Sequence, residues 1–128
     1  MRFRLYRFIV PVDGMDRGVA FYSAIFGNDG ERVSGHRHYF DCGGVVLALV
    51  DPSADRQPFR PNPDHVYFAI DDLEAAYERA KSAGCQWLED AIKTRDWGER
   101  SFYARDPFGN PLCFVDETTL FTGGRFVP

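Results

Sequence analysis

Apolar residues repeat with two different periods along this chain, and the order of the two periods occurs twice. Residues 8–12 are apolar throughout, as in a buried strand. After Asp13, apolar residues recur at spacings of four, three and four: Met15, Val19, Tyr22 and Phe26. These spacings lie on one face of a helix, and Gly27 is typical of a residue that ends one. The pattern predicts a strand followed by a helix.

The same pattern returns 58 residues later. Residues 66–70 form a second apolar run, and Asp71 precedes a second set of apolar residues at helical spacing: Leu73, Ala76, Tyr77 and Ala80. Glu74 stands three residues after Asp71, as in a capping box, and Gly84 follows as a stop signal. This second copy predicts another strand and helix.

Short runs typical of strands follow each predicted helix. They are residues 31–34, 38–42 and 45–50 in the first half, and 86–92, 101–105 and 111–116 in the second. Each half therefore predicts one strand, one helix and three further strands. The short antiparallel connections argue against a doubly wound parallel sheet.

The repeat also divides the chain, whose 128 residues suit a single domain. We interpret residues 1–50 as module one, 51–64 as a linker with four prolines, 65–117 as module two and 118–128 as a C-terminal tail. A half of about 60 residues is marginally stable alone, so two halves would complete one core.

Composition excludes several classes of partner. The net charge is −4 and the pI is about 5.3, so neither nucleic acid nor an anionic membrane surface is an expected partner. No long apolar run predicts a transmembrane helix, and the N-terminus does not resemble a signal peptide. The three cysteines are dispersed, as in reduced proteins. We therefore expect a cytoplasmic protein.

Three segments in order resemble the vicinal oxygen chelate superfamily of glyoxalases, bleomycin resistance proteins and dioxygenases. They are residues 8–27, residues 65–73 and residues 102–114, the last with an Asp-Pro-Phe-Gly-Asn turn. The resemblance covers about residues 4–117. It implies an α+β fold in which two tandem βαβββ modules form a curved, mainly antiparallel sheet around a cavity. It also implies a homodimer.

The resemblance further implies four positions at which metal-dependent members carry ligands. In this chain those positions hold Arg7, Ala48, His65 and Cys113. Alanine has no donor atom, and arginine is a cation without an acceptor. A catalytic zinc site usually has three protein ligands, so we expect neither a metal nor another cofactor. His65 is the best candidate for a catalytic residue.

Other side chains complete the predicted ligand-binding set. Tyr67 shares its strand parity with His65. A four-residue loop at 106–109 would put Phe102 opposite Cys113, and a slip of one residue would substitute Tyr103. Trp97, beside a flexible glycine, is interpreted either as a lid over a planar ligand or as a hydrophobic edge seal. Trp87 is expected in the core.

These features support three alternative functions. The first is metal-independent binding of an anionic or aromatic small molecule, an antibiotic or a metabolite, with a negative or polar group near Arg7. The second is a metal-dependent lyase, isomerase or dioxygenase of the glyoxalase type. The third is a structural or regulatory module whose cavity is filled by its own side chains.

Overall fold

The computed structural model describes residues 1–121 as two compact units, one from Met1 to Pro63 and one beginning at Asp64. Each unit runs from a strand through a helix into further strands, so the predicted α+β class and the internal repeat are confirmed. The part of the predicted tail beyond Phe121, residues 122–128, lies outside the described residues. No helix within residues 1–121 is long and apolar enough to cross a membrane.

Unit 1 is a four-stranded mixed sheet with one helix. Its elements are β1 (Arg7–Pro11), α1 (Met15–Phe26), β2 (Glu31–Ser34), β3 (Arg37–Cys42) and β4 (Val45–Val50). The strand order is β1-β4-β3-β2, in which only the β1–β4 pairing is parallel. The parallel pairing follows from the helix, which carries the chain back over the sheet before the next strands begin.

Helix α1 ends where the sequence predicts but buries a slightly rotated face. Gly27 adopts a left-handed conformation with φ of 74° and donates its N–H to the Ser23 carbonyl, as expected for a helix stop. Gly18 lies in the buried stripe, because a Cβ there would stand 2.8 Å from Val12 Cγ1. The half-buried Val19 lies at the edge of that stripe.

Unit 2 repeats the arrangement with one difference. Its elements are β5 (Val66–Ile70), α2 (Leu73–Ala83), β6 (Trp87–Leu88), β7 (Lys93–Thr94), β8 (Arg100–Arg105) and β9 (Pro111–Asp116). β5 pairs parallel with β9, and β9 pairs antiparallel with β8. Of the strand predicted at 86–92 only β6 forms, and a second short strand, β7, follows just beyond it; both pair with β8.

The N-terminal cap of α2 differs from the prediction by one residue. Asp72, not Asp71, caps the helix, and its Oδ1 accepts the Ala75 N–H at 3.0 Å. Glu74 therefore has no capping role and forms an ion pair with Arg100. The two adjacent aspartates offer the same chemistry, so sequence alone does not separate them.

The predicted linker is built onto unit 1. Residues Pro52–Asp55 form a short 3-10 helix whose first turn is capped by Asp51, which accepts the Ser53 N–H at 3.0 Å. Asn62 Nδ2 then donates to the Ile9 carbonyl of β1 at 3.1 Å. These bonds explain why the first compact unit extends to Pro63.

Gly30 is the position in unit 1 where a side chain is least compatible with the backbone. Its φ is +60°, and an added Cβ would lie 2.6 Å from the Tyr39 carbonyl oxygen and 2.8 Å from the Phe40 ring. Gly43 has a similar φ of +66° with open space around it. We expect Gly43→Ala to cost about 1 kcal/mol and Gly30→Ala about 3 kcal/mol, since only the latter adds a clash. Urea denaturation of both variants measures the difference, and equal losses would contradict the predicted clash.

Candidate functional site

The face of the unit 1 sheet that points away from α1 carries a cationic cluster, which we define as Arg7, Arg37 and Tyr39. Arg7 begins β1, and the other two lie in β3. Both strands pair with β4, where Ala48 lies directly between Ile9 and Tyr39. Paired residues project to the same side of a sheet, so these strands present the cluster on one surface.

Both guanidinium groups of the cationic cluster meet at one hydroxyl. Arg7 Nη1 donates to the Tyr39 hydroxyl at 3.0 Å, and Arg37 Nη1 donates to it at 3.2 Å. Arg7 Cζ also lies 5.1 Å from the centre of the Tyr6 ring and 5.7 Å from that of Tyr39. These contacts hold the Arg7 guanidinium in place before any ligand arrives.

The charge of the cluster is not neutralised by the described chain. Within residues 1–121, no carboxylate lies within ion-pairing distance of Arg7 or Arg37. The Tyr39 oxygen accepts two N–H bonds, which leaves its own hydrogen as a donor. The cluster therefore presents only hydrogen-bond donors and positive charge, which is the chemistry that binds oxyanions.

Unit 2 places three of the predicted residues together on its sheet. His65 immediately precedes β5, and its ring centre lies 6.0 Å from that of Tyr67, which agrees with their shared parity. Tyr67 pairs across β5 and β9 with Cys113. The residue on the far side of Cys113 is Tyr103, whose ring lies edge-on to His65 at 5.0 Å.

The prediction that Phe102 faces the pocket opposite Cys113 is wrong by one position. The loop contains five residues, because Asp106 and Asn110 bond to each other and leave Arg105 paired with Pro111. Phe102 is therefore fully buried on the helix side, stacked on Phe114 with ring centres 4.9 Å apart. Tyr103 takes the place that had been predicted for Phe102.

A buried ion pair lies beside Tyr103. Arg95 donates to both carboxylate oxygens of Glu89, at 2.6 and 3.2 Å, and to Ser101 Oγ at 2.9 Å. Arg95 Cζ also lies 4.6 Å from the centre of the Tyr103 ring, and Glu89 Oε1 accepts the Tyr103 N–H at 3.0 Å. This network fixes the Tyr103 ring and backbone from two sides.

Cys113 is not activated as a nucleophile. Its residue is 1% exposed, and burial raises the pKa of its thiol to about 11. Burial also raises the pKa of Cys42 and Cys85 to about 11. Because the thiolate is the reactive form, all three side chains are neutral and unreactive near neutral pH.

Thiol reactivity checks this assignment. At pH 7.5 about one thiol in three thousand is ionised when its pKa is near 11, so alkylation by iodoacetamide should be very slow. We expect the rate for each cysteine of the folded protein to rise about tenfold for each pH unit up to pH 10. Mass spectrometry of the labelled peptides separates the three sites. Rapid labelling of Cys113 at pH 7.5 would contradict the assignment.

Trp97 is bonded within its own loop and not to the other predicted binding residues of the described chain. It is half-exposed in the loop between β7 and β8, and its Nε1 donates to Glu99 Oε1 at 2.8 Å. Glu99 in turn accepts the Phe121 N–H at 3.0 Å. These bonds join Trp97 to its own loop through Glu99. Its role as a lid over a ligand stays a prediction.

Two residues of the candidate sites were not predicted from the sequence. Arg37 shares its parity with Tyr39, but its bond to that hydroxyl has no signature in the sequence. Trp87, expected in the core, is 49% exposed because β6 is only two residues long and ends the sheet beside β8. It lines a cleft of about 460 Å³ in unit 2 together with His65, Tyr103, Ala104 and Arg105.

The residues at the four expected ligand positions do not fit a catalytic metal ion. Unit 1 supplies the cation Arg7 and the methyl group of Ala48. Unit 2 supplies the exposed imidazole of His65 and the buried thiol of Cys113. Within residues 1–121, no group of three or more His, Cys, Asp or Glu side chains is placed to hold a metal ion.

Comparison with known proteins identifies the family. Residues 4–114 match the family model described as Glyoxalase/Bleomycin resistance protein/Dioxygenase superfamily. A curated relative, the metallothiol transferase FosB of Shouchella clausii, is 35% identical over 105 residues, which are 79% of this chain and 71% of the relative.

Solved structures share the fold. A glyoxalase/bleomycin resistance protein from Albidiferax ferrireducens has a TM-score of 0.74 at 20% identity, covering 88% of this chain and 98% of that one. A bleomycin resistance determinant encoded on the transposon Tn5 has a TM-score of 0.66 at 21% identity, covering 89% of this chain and 98% of that one. The family model, which matches most of the chain, and the 35% identical relative show that the chain belongs to the glyoxalase/bleomycin resistance protein/dioxygenase superfamily.

Proposed function

We propose that this superfamily member binds a small anionic molecule without a metal, and that the negative group of the ligand is held by the cationic cluster. The observation that carries the proposal is the convergence of Arg7 and Arg37 on the Tyr39 hydroxyl, with no described carboxylate paired to either. Arg7 stands where metal-dependent relatives are expected to hold a ligand, so a fixed positive charge replaces the ion.

The donor geometry favours a compact oxyanion. Each guanidinium has five N–H donors in a planar fork and uses one of them on Tyr39, so several remain for a ligand. A phosphonate, phosphate or carboxylate group offers several acceptor oxygens to match them.

Calorimetric titration with methylphosphonate tests the proposal, using protein treated with a chelator. We expect binding by the wild type, a loss of about tenfold in affinity for Arg7→Gln or Arg37→Gln, and a smaller loss for Tyr39→Phe. The matched control is Arg60→Gln, which removes an exposed arginine of unit 1 outside the cluster. Its affinity should stay within about twofold of the wild type, since nonspecific attraction is weak at physiological salt.

Two results would reject the proposal. One is the absence of any heat or thermal stabilisation with methylphosphonate, acetate or phosphate, which would favour the third alternative, a structural or regulatory module. The other is an equal loss of affinity in the Arg60→Gln and Arg7→Gln variants. That result would mean that the net charge of the protein, and not the cationic cluster, accounts for the binding.

A metal-dependent transferase is the second candidate function. It is favoured by the 35% identity to a metallothiol transferase and by His65, which stands at one expected ligand position. It predicts that purified protein contains about one zinc, nickel or manganese ion per chain and loses it in a His65→Ala variant. Elemental analysis of protein prepared without a histidine tag distinguishes the two candidates.

We also propose that the chain forms a homodimer, as the family resemblance implies. Light scattering combined with size-exclusion chromatography measures the molar mass directly. A mass of one 14.6 kDa chain at micromolar concentration would contradict this part of the proposal.

A further inference from the structure

His38 is buried in unit 1 on the side of the sheet opposite the cationic cluster. It alternates with Arg37 and Tyr39 along β3, so it projects to the face that α1 covers. Its ring centre lies 5.2 Å from that of Phe40, which in turn lies 5.2 Å from that of Phe26 in α1. The residue is 6% exposed. The proposed function makes no use of this side chain.

Both ring nitrogens of His38 are hydrogen-bonded. Arg32 Nε, on the edge strand β2, donates to His38 Nδ1 at 3.2 Å, and His38 Nε2 lies 2.7 Å from the Asp29 carbonyl oxygen. An arginine side chain only donates, so Nδ1 must be an acceptor without a hydrogen. A carbonyl oxygen only accepts, so Nε2 must carry the ring hydrogen and donate it. These two contacts fix His38 as a neutral imidazole in one tautomer.

The surroundings of His38 offer little compensation for a second proton. Within residues 1–121, no carboxylate lies within ion-pairing distance of its ring. Arg32 is the charged group that faces it from β2, whereas β4 presents Leu49 and β3 presents the Phe40 ring. From α1, the exposed Asp16 reaches Arg32 Nη2 at 3.5 Å rather than His38. A proton on Nδ1 would therefore break the Arg32 bond and place two cations in contact.

Strand β2 has few other contacts that hold it on the sheet. It lies at the edge of the unit 1 sheet and pairs with β3, and its four residues are exposed or half-buried. Arg32 lies directly opposite His38 in this pairing, and the register is interrupted between Arg32 and Ser34. An element with little buried apolar surface opens locally at low cost, so a single polar contact has a large effect on it.

We propose that the bond between Arg32 and His38 is a pH-sensitive latch, which holds β2 on the sheet at neutral pH and releases it in acid. An unconstrained histidine is half-protonated at about pH 6.5, so the latch is complete above that pH and weakens as the pH falls below it. The Asp29 contact survives protonation, because an imidazolium still donates from Nε2. Release therefore opens β2 and exposes the edge of β3, while the rest of unit 1 stays folded.

Hydrogen exchange of the full-length chain, followed by NMR, tests the latch. After correction for the intrinsic exchange rate at each pH, the amides bonded between β2 and β3 should lose at least about tenfold in protection from pH 7.5 to pH 5.0, since a bond to a charged group is lost. The amides of α1 and of the β1–β4 pairing should keep their protection. Unchanged protection of β2, or an equal loss throughout unit 1, would overturn the proposal.

Three variants separate a titrating latch from a purely structural contact. His38→Gln still offers an oxygen to Arg32 and an N–H to Asp29 but does not titrate, so β2 should stay protected at both pH values. Arg32→Met removes the cation, so the protection of β2 should be low at both. His36→Gln changes a half-buried histidine outside the latch and should keep the wild-type pH dependence. Wild-type pH dependence in His38→Gln, or its loss in His36→Gln, would count against the latch.

Nitrogen NMR of the imidazole rings reads the tautomer in the wild-type chain. The chain contains three histidines, and samples of His36→Gln and His65→Gln assign their signals. At pH 7.5, His38 should carry its hydrogen on Nε2 and none on Nδ1, and it should gain its second proton over the pH interval in which β2 loses protection. A hydrogen on Nδ1 at pH 7.5, or a doubly protonated His38 with β2 still protected, would refute the latch even if every variant failed to fold.

Discussion

An Asp106→Ala variant is expected to lose about 4 kcal/mol of unfolding free energy, because three buried hydrogen bonds end on this one carboxylate. Asp106 Oδ1 accepts the N–H groups of Phe108 and Asn110 at 2.9 Å each, and Oδ2 accepts Asn110 Nδ2 at 2.8 Å. Asp106 and Asn110 are both fully buried. Alanine would leave these donors without a partner in the turn that sets the register of β8 and β9.

Chemical denaturation measures this loss of unfolding free energy, and two further variants serve as comparisons. Asp41→Ala removes the carboxylate of an exposed turn in unit 1, where Oδ1 accepts one N–H from Gly44, and should have a much smaller effect. Asp106→Asn should be intermediate, since an amide oxygen still accepts the two backbone N–H groups. If Asp106→Ala and Asp41→Ala lose the same free energy, the turn does not have the structural role assigned to it.

An Arg95→Met variant is expected to lose about 3 kcal/mol at pH 7, because it leaves the Glu89 carboxylate buried without its partner. The side chains of Glu89 and Arg95 are 11% and 14% exposed, so solvent screens the pair weakly. Lys93→Met removes the other cation near Glu89, but Lys93 is exposed, and this control should leave stability nearly unchanged.

The loss in Arg95→Met should depend on pH with a definite sign. Burial alone would raise the pKa of Glu89, but the hydrogen bonds from Arg95 and the Tyr103 N–H outweigh it and lower the pKa. In the wild type this stabilisation is present above about pH 4.3, the pKa of an unfolded glutamate, and is lost as the pH falls. In the variant, burial dominates and raises the folded-state pKa, so proton uptake stabilises the variant as the pH falls.

The difference in unfolding free energy between wild type and Arg95→Met should therefore shrink from pH 7 to pH 4.5. A constant difference over that range would contradict the proposed origin of the loss.

The periodic elements of both units could be predicted from the sequence. Helix α1 ends at Phe26 as expected, because helical spacing and a glycine stop both encode its position. Periodicity does not fix single-residue details. Asp71 and Asp72 are equally suited as caps, and only the backbone geometry selects Asp72.

The candidate site was predicted less completely, for physical reasons. The register at Tyr103 depends on a five-residue loop whose length is set by the bonds between Asp106 and Asn110, not by turn residues alone. Arg37 joins the cationic cluster through a hydroxyl, and such a contact has no pattern along the chain. Trp87 is exposed because the sheet ends beside it, which depends on the break between β6 and β7.

The central claim is that a fixed positive charge replaces a metal in binding an anion. The most direct test is the dissociation constant of methylphosphonate, measured as purified, after exhaustive chelation, and after zinc or manganese is added back, with the metal content of each sample determined in parallel. The account predicts the same constant within about twofold in all three samples, since the Arg7 and Arg37 guanidiniums need no ion. Loss of binding on chelation, with recovery at one metal ion per chain, would contradict it.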